Sequence, residues 1–378
     1  MKIRVDSWAK KAFEMIEQIL KKVDQGGELT PAEMKTLLET SDPAELQALY
    51  NCAYRVKAKN VGPVAYFRGI IECSNICVKD CYYCGIRKSN ANVERFQMDE
   101  KEIVREAIWA FENEYGSAVI QSGERQDATY IDMIERVLKR VKEQTGGKLG
   151  ITLSLGEQTE ETYRRWREAG AHRYLLRIET TSPELYRELH PEDHDLETRK
   201  QCLALLKKTG YQVGTGVMMG LPGQTSEDLT NDILFMKEID IDMVGMGPYI
   251  PHRDTPMGAT IPAYTEEQKM TALTLGLKMI AVTRIVLKDI NIAAATALQA
   301  LEHTGREMGL QCGANIIMPN VTKTEFRPNY TLYDNKPCLD ENSSMCRGCL
   351  TRRIEGIGET IGFNEWGDSK HYAKRIKN

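Results

Sequence analysis

Residues 64–84 read Val64-Ala-Tyr-Phe-Arg-Gly-Ile-Ile-Glu72, then Cys-Ser-Asn-Ile, then Cys77-Val-Lys-Asp-Cys81-Tyr-Tyr-Cys84. The first part is an apolar run of the length expected for a buried β-strand. The second part places three cysteines together directly after that strand, where their thiolates can converge on one metal centre. A [4Fe-4S] cluster normally takes four cysteine ligands, so three would leave one iron open, as a catalytic centre requires. The alternative is a zinc site completed by a distant fourth ligand.

Short apolar strands alternate with amphipathic helices along the chain beyond this stretch. The predicted strands are Val64–Glu72, Ser117–Gln121, Leu149–Leu155, Tyr174–Glu179, Gln212–Met218, Met243–Met246, Ile290–Ala295 and Ala314–Met318. The predicted helices between them are Glu102–Glu114, Ile131–Gln144, Glu160–Ala169, Leu196–Lys208, Ser226–Ile239 and Glu266–Arg284. Eight strands alternating with helices predict an α/β fold, a complete (β/α)8 TIM barrel.

The barrel pattern occupies residues 59–325. Residues 1–58 are predicted to form an N-terminal helical segment, with apolar residues at helical spacing over Ser7–Val23 and a capped helix start at Thr30-Pro-Ala-Glu33. Residues 326–378 are predicted to form a C-terminal segment that carries further cysteines and packs on the barrel.

Composition excludes several classes of protein. The chain has 378 residues, 42% of them hydrophobic, and a net charge of -4, so no basic excess points to nucleic acid. The apolar runs are predicted to be too short or too interrupted to span a membrane. The segment Met1–Asp6 lacks the apolar core of a signal peptide, which predicts a cytoplasmic protein. Ten cysteines in a reducing compartment indicate metal or redox chemistry rather than disulfides. Four of them, Cys52, Cys73, Cys202 and Cys312, are interpreted as small buried apolar residues.

Polar residues follow the predicted strands where a barrel carries its active site, at the carboxyl ends. Gln121 to Glu124 follow the second strand, Ser154 the third, and Arg177 and Glu179 end the fourth. The simpler interpretations are a solvent-facing loop carboxylate for Glu124 and a structural ion pair between Arg177 and Glu179.

The Cys-x3-Cys-x2-Cys pattern, with aromatic Tyr83 before the last cysteine, resembles the signature of the radical S-adenosylmethionine (SAM) superfamily. The resemblance implies that the open iron binds the amino and carboxylate groups of SAM, and that one electron cleaves SAM to a 5′-deoxyadenosyl radical. It implies Glu124 for the methionine ammonium. Arg177 and Arg199 are then candidates for the methionine carboxylate, Glu179 for the ribose hydroxyls or the sulfonium region, and Ser154 for the ribose. The glycine-rich stretch 214–225 would pack against adenine.

Further strings narrow the resemblance to the HydE family of [FeFe]-hydrogenase maturases. They are Ile76–Arg87, Gln121–Glu124, Leu153–Glu157, Arg173–Thr180, Gly220–Thr225, Asp242–Pro248 and Cys312–Asn320. The resemblance implies an internal cavity for an organometallic iron–CO/CN–cysteine precursor, the partner maturases HydG and HydF, and a one-electron donor such as ferredoxin or flavodoxin. The cavity candidates, apart from Arg177, are Gln121, Thr152, Met243, Thr296, Met318 and Tyr330. For each methionine, ordinary core packing is the alternative.

A second cysteine group, Cys338-x7-Cys346-x2-Cys349, lies beyond the last predicted strand. Its spacing matches the auxiliary cluster of many HydE proteins, which implies a second iron–sulfur cluster, either [2Fe-2S] or [4Fe-4S]. A zinc site, or no metal site, remains open as an alternative.

Two other functions remain open. Some HydE proteins have two adjacent threonines where this chain reads Ala295-Thr296, so a HydE-like or methylornithine-synthase-like radical SAM enzyme with another small substrate is the alternative. A non-catalytic iron–sulfur or zinc carrier is the other, but a carrier needs no SAM pocket.

Overall fold

Eight parallel strands form a curled sheet in the computed structural model, which describes residues 14–340 and 342–377. They are β1 (Val64–Ser74), β2 (Ser117–Ser122), β3 (Gly150–Ser154), β4 (Arg173–Leu175), β5 (Gln212–Thr215), β7 (Met243–Val244), β9 (Asn291–Ile292) and β10 (Ile316–Ile317). Their order is β10-β1-β2-β3-β4-β5-β7-β9. Each of the eight predicted strands overlaps one of them.

Three further short strands accompany this sheet. A separate parallel pair consists of β6 (Met218–Met219) and β8 (Gly247–Pro248), which continue β5 and β7 towards their carboxyl ends. Strand β11 (Thr360–Ile361) pairs with the start of β1. At the two ends of the sheet order, an isolated parallel bridge joins Ala293 to Ile316.

Helices cover the outside of the sheet. Residues 14–24 form α1, and the others are α2 (Pro31–Glu39), α3 (Pro43–Asn60), α4 (Glu100–Glu112), α5 (Ala128–Gln144), α6 (Glu160–Glu168), α7 (Pro183–Leu189), α8 (Leu196–Lys208), α9 (Ser226–Glu238), α10 (Glu266–Leu287), α11 (Thr296–Leu301), α12 (Gly305–Gln311), α13 (Ser343–Gly356) and α14 (Lys370–Arg375). The predicted cap at Thr30 is confirmed, since its side chain and that of Glu33 bond reciprocally to backbone N–H groups. The start of the predicted Ser7–Val23 helix lies outside the described residues.

Helix α10 corrects one expectation. Among the described residues it alone is long and apolar enough to cross a membrane, with a mean hydropathy of 1.6 over its best window. However, 61% of that window is buried within the protein. Its Lys278 and Arg284 are also buried and donate to backbone carbonyls, Lys278 to that of Thr40 and Arg284 to that of Gly313. The helix is therefore placed as a core helix of the fold.

The chain after β11 lies across the amino-terminal ends of the strands. Arg68 on β1 and Asn291 on β9 both donate to the carbonyl of Gly367, at 3.0 and 2.8 Å. Arg173 on β4 donates to the carbonyl of Trp366 at 3.0 Å. These contacts cover the end of the sheet opposite the cysteine loop.

Candidate active site

The three cysteines of the predicted cluster loop lie together at the carboxyl end of β1. Cys77, Cys81 and Cys84 are partly buried free thiols. Burial raises the pKa of the Cys84 thiol well above its usual range, and the neighbouring sulfurs of Cys81 and Cys77 raise it further. Three thiolates this close and this poorly solvated need cationic partners to remain ionised. The site therefore has the chemistry of a metal-binding loop.

Backbone hydrogen bonds to one arginine hold this loop in shape. The guanidinium of Arg95 donates to five carbonyl oxygens at 2.5–3.2 Å, those of Asn75, Ile86, Arg87, Lys88 and Asn90. The loop also bonds to its surroundings, since the N–H of Gly85 donates to the carbonyl of Leu332 at 3.0 Å. A cysteine loop fixed in this way is preorganised for its ligand.

The loop after β2 approaches the cysteines closely. The N–H of Glu124 donates to Sγ of Cys77 at 3.3 Å. Gly123 allows this approach, because a Cβ there would lie 2.4 Å from the carbonyl oxygen of Ile76. A backbone N–H aimed at a sulfur stabilises the thiolate.

A [4Fe-4S] cluster fits this donor set. Three thiols from one loop meet, and a buried carboxylate oxygen of Glu124 beside them accepts no hydrogen bond. Within the described residues, no three His, Cys, Asp or Glu side chains are placed to hold a single metal ion. These three thiols, with Glu124 beside them, fit a [4Fe-4S] cluster.

Four charged side chains form a buried network beside the loop. Glu157, in the turn after β3, receives Lys79 Nζ at 2.8 Å and Arg199 Nε at 2.5 Å. Glu124 Oε2 accepts the N–H of Glu157 at 2.9 Å, and its Oε1 lies 3.5 Å from Lys79 Nζ. Burial raises the pKa of Glu124. Although burial acts in the same direction on Glu157, Arg199 and Lys79 hold its pKa below the usual range.

The charged pair after β4 occupies a sharp bend. The predicted strand Tyr174–Glu179 is too long, because β4 ends at Leu175 and Glu179 has a left-handed φ of +68°. Arg177 Nη2 lies 2.8 Å from Glu179 Oε2, so the predicted ion pair exists. Arg199 Nη1 donates to the carbonyl of Arg177 at 2.8 Å, which connects this pair to the buried network.

The remaining SAM candidates lie around the same loop. The ring of Tyr83 packs edge-on against His190, with centroids 5.6 Å apart. Ser154 ends β3 and is half-buried, in register with Gln121 on β2. The structure thus brings Tyr83, Ser154 and the charged groups to one end of the sheet.

The cavity candidates separate into two sets. Thr152, Met243 and Met318 line one cavity inside the sheet, together with Arg68, which sequence reasoning missed. Gln121 and Tyr330 instead bond to each other nearer the cysteines, Nε2 to hydroxyl, at 3.2 Å. Thr296 begins α11 and is not among the residues that line the inner cavity.

The second cysteine group is only partly described. Cys338 has a left-handed φ of +64°, and its carbonyl accepts Arg327 Nη1 at 2.9 Å. Its sulfur lies 3.8 Å from Arg306 Nη2. Cys349 is a partly buried free thiol on α13. The side chain of Cys346 lies outside the described part of the chain.

Sequence reasoning overlooked three charged residues of this site, Lys79, Arg95 and Glu157, and also Arg68 in the inner cavity. Arg68 is a single charged residue within the apolar run of β1, and nothing in the sequence distinguishes it as a cavity residue. Lys79 lies within the cysteine pattern and Glu157 within the Leu153–Glu157 string. Their positions in those two segments were the available signal.

Comparisons with known proteins agree with this geometry. Residues 71–236 match the radical SAM superfamily. The chain is 44% identical over 362 residues to the [FeFe] hydrogenase maturase subunit HydE of Thermotoga maritima, covering 95% of this chain and 99% of that protein. It is 27% identical to 3-methylornithine synthase of Methanosarcina acetivorans, covering 92% and 95%.

Solved structures of two proteins have a similar fold. The crystal structure of methylornithine synthase superposes with a TM-score of 0.77 at 25% identity, covering 92% of this chain and 98% of that one. HydG of Carboxydothermus hydrogenoformans superposes with a TM-score of 0.76 at 19% identity, covering 96% and 85%. At that identity the HydG likeness concerns the fold alone.

Proposed function

Because this chain belongs to the HydE family of [FeFe]-hydrogenase maturases within the radical SAM superfamily, we propose that Cys77, Cys81 and Cys84 hold its [4Fe-4S] cluster. The bound cluster supplies the electron that cleaves SAM to a 5′-deoxyadenosyl radical. The single observation that carries the proposal is the meeting of three partly buried thiols with a Glu124 oxygen that accepts no hydrogen bond.

The residues around the cluster loop each contact a different group of SAM. Glu124 Oε1 accepts the methionine ammonium, and Arg199, with Arg177, faces the carboxylate. Glu179 and Ser154 accept and donate at the ribose, and Tyr83 packs beside the cluster loop. Burial of Glu124, Glu179 and Arg199 limits the access of water to the bond that breaks.

The substrate cavity extends from this end of the sheet towards its interior. We assign Gln121 and Tyr330 to the upper part and Thr152, Met243 and Met318 to the lower part, with Thr296 at the rim. The substrate is an organometallic iron precursor that carries CO, cyanide and cysteine. In this scheme HydG supplies the precursor and HydF receives it. A ferredoxin or flavodoxin is the electron donor.

The sheet closes into a complete (β/α)8 barrel in this account. In support, the Ala294 N–H donates to Ile316 at 2.9 Å and the Asn315 N–H donates to Ile292 at 2.9 Å, between the two ends of the strand order. The chain is divided into a helical segment (residues 1–58), the barrel (59–325) and a C-terminal segment (326–378). A second iron–sulfur cluster is held by Cys338, Cys346 and Cys349. The protein works in the cytoplasm.

A second candidate is a HydE-like or methylornithine-synthase-like enzyme acting on another small molecule. The observation that favours it is Ala295, which supplies no hydroxyl where some HydE proteins have threonine, together with the likeness to methylornithine synthase.

The test is SAM cleavage by anaerobically reconstituted protein with dithionite, measured as 5′-deoxyadenosine. Wild-type protein is expected to form it, and Cys81→Ala is expected to form none because the cluster loses a ligand. Equal product from both proteins would refute the assignment. Cys202→Ala, which changes a buried cysteine on α8, is the matched control and keeps activity.

A further inference from the structure

Both carboxylate oxygens of Glu157 accept hydrogen bonds from cations, although sequence reasoning gave this residue no role. It is 5% exposed, in the turn between β3 and α6. Its Oε1 binds Arg199 and its Oε2 binds Lys79, and its backbone N–H donates to Glu124. Glu157 therefore touches every other charged member of the network.

Glu124 differs from Glu157 in having one oxygen left over. Its Oε1 is buried and accepts no hydrogen bond, with Lys79 Nζ 3.5 Å away. Its Oε2 lies 4.0 Å from Arg199 Nη2, beyond hydrogen-bonding distance. A buried carboxylate oxygen that accepts no hydrogen bond is costly inside a protein, so this atom is expected to meet an N–H group of a ligand.

Two cations close to Glu124 thus bond to Glu157 instead. We propose that Glu157 is a positioning residue that holds Lys79 and Arg199, and thereby keeps Glu124 free for the ammonium group of SAM. This inference rests on the SAM site proposed above. The network contains two carboxylates and two cations, so it is neutral before the zwitterionic methionine end of SAM binds.

Removing the charge of Glu157 would unbalance this arrangement. Lys79 and Arg199 would then lack their charged partner, and the carboxylate within 4.0 Å of both is Glu124. Glu124 cannot retreat from them, because the turn at Gly156 (φ +77°) packs against it so closely that a Cβ there would lie 2.3 Å from its Cγ. It would therefore pair with the cations and compete with the SAM ammonium.

The experiment compares SAM binding by anaerobically reconstituted wild-type and Glu157→Gln proteins. Calorimetric titration with SAM is expected to give a Kd at least about tenfold higher for the variant, the loss expected for a charge-assisted hydrogen bond. The electron paramagnetic resonance spectrum of the reduced cluster without SAM is expected to be unchanged. Its shift on adding SAM should require correspondingly more SAM.

A double variant separates this role from a merely structural one. Lys79→Gln/Glu157→Gln removes one charge of each sign, so it is expected to regain most of the SAM affinity that Glu157→Gln loses. Glu161→Gln, on the exposed face of α6 where Glu161 pairs with Arg164, is the matched control and should bind SAM as wild type does.

Two results would overturn the inference: wild-type affinity in Glu157→Gln, or a double variant that binds SAM no better than the single one. If Glu157→Gln fails to hold iron, the SAM affinity of the double variant alone tests the inference. An iron-loaded double variant with near wild-type affinity supports the inference, and one without affinity overturns it. A wild-type protein that binds no SAM would instead refute the proposed function itself.

Discussion

Arg95 is predicted to control how firmly the cluster loop holds its metal. Three of its five bonds, to the carbonyls of Asn75, Ile86 and Arg87, are 2.5–2.8 Å long. At about 1 kcal/mol net for each, Arg95→Met should lose about 3 kcal/mol of loop stability. That is roughly a hundredfold in the equilibrium between closed and open loop.

The assay is the rate at which anaerobically reconstituted protein loses iron to an excess of chelator. If iron leaves only from the open loop, Arg95→Met should release it roughly a hundredfold faster than wild type. Arg95→Lys keeps the charge but not the planar fork of donors, and should fall between the two. The control is Arg105→Met, which changes an exposed arginine on α4. The reasoning is wrong if Arg95→Met and Arg105→Met release iron at the same rate.

Two further predictions concern the C-terminal segment. Hydrogen bonds to Asp289 and Asp240 raise the pKa of His371 to about 9. Its contribution to stability is therefore complete below its unfolded pKa of about 6.5 and is lost as the pH rises through 9. The Tm of wild type should therefore fall more than that of His371→Gln between pH 6.5 and 9, and parallel curves would contradict this. Lys57 and Glu359 form an ion pair with no exposed side-chain surface. Glu359→Gln should lower the free energy of unfolding by about 3–5 kcal/mol, measured by urea denaturation, and a loss below about 1 kcal/mol would refute it.

The strands of the sheet were predictable because each is a short apolar run between helical patterns. Strand β1 is the clearest case, since Val64–Glu72 lies wholly within the observed Val64–Ser74. The prediction was wrong after Leu175, where the regular strand ends and Glu179 adopts a left-handed φ of +68°. Single-sequence periodicity does not reveal such a bend, because Arg177 and Glu179 would also suit a strand end.

Contacts between distant segments were not predictable. Arg173 on β4 pairs with Asp368 near the C-terminus, and Lys57 on α3 pairs with Glu359. Nothing local to either partner indicates the other, because these pairs depend on how the C-terminal segment crosses the sheet. Glu157 was missed for the same reason, since its two cationic partners come from the cysteine loop and from helix α8.

The most direct test of the central claim is anaerobic maturation of an apo-[FeFe]-hydrogenase with HydF, HydG and SAM, with and without this protein. The account predicts hydrogen evolution that depends on this protein and disappears with Cys81→Ala. No hydrogen evolution, from a preparation that still cleaves SAM to 5′-deoxyadenosine, would contradict the hydrogenase role. It would leave a radical SAM enzyme with a different substrate.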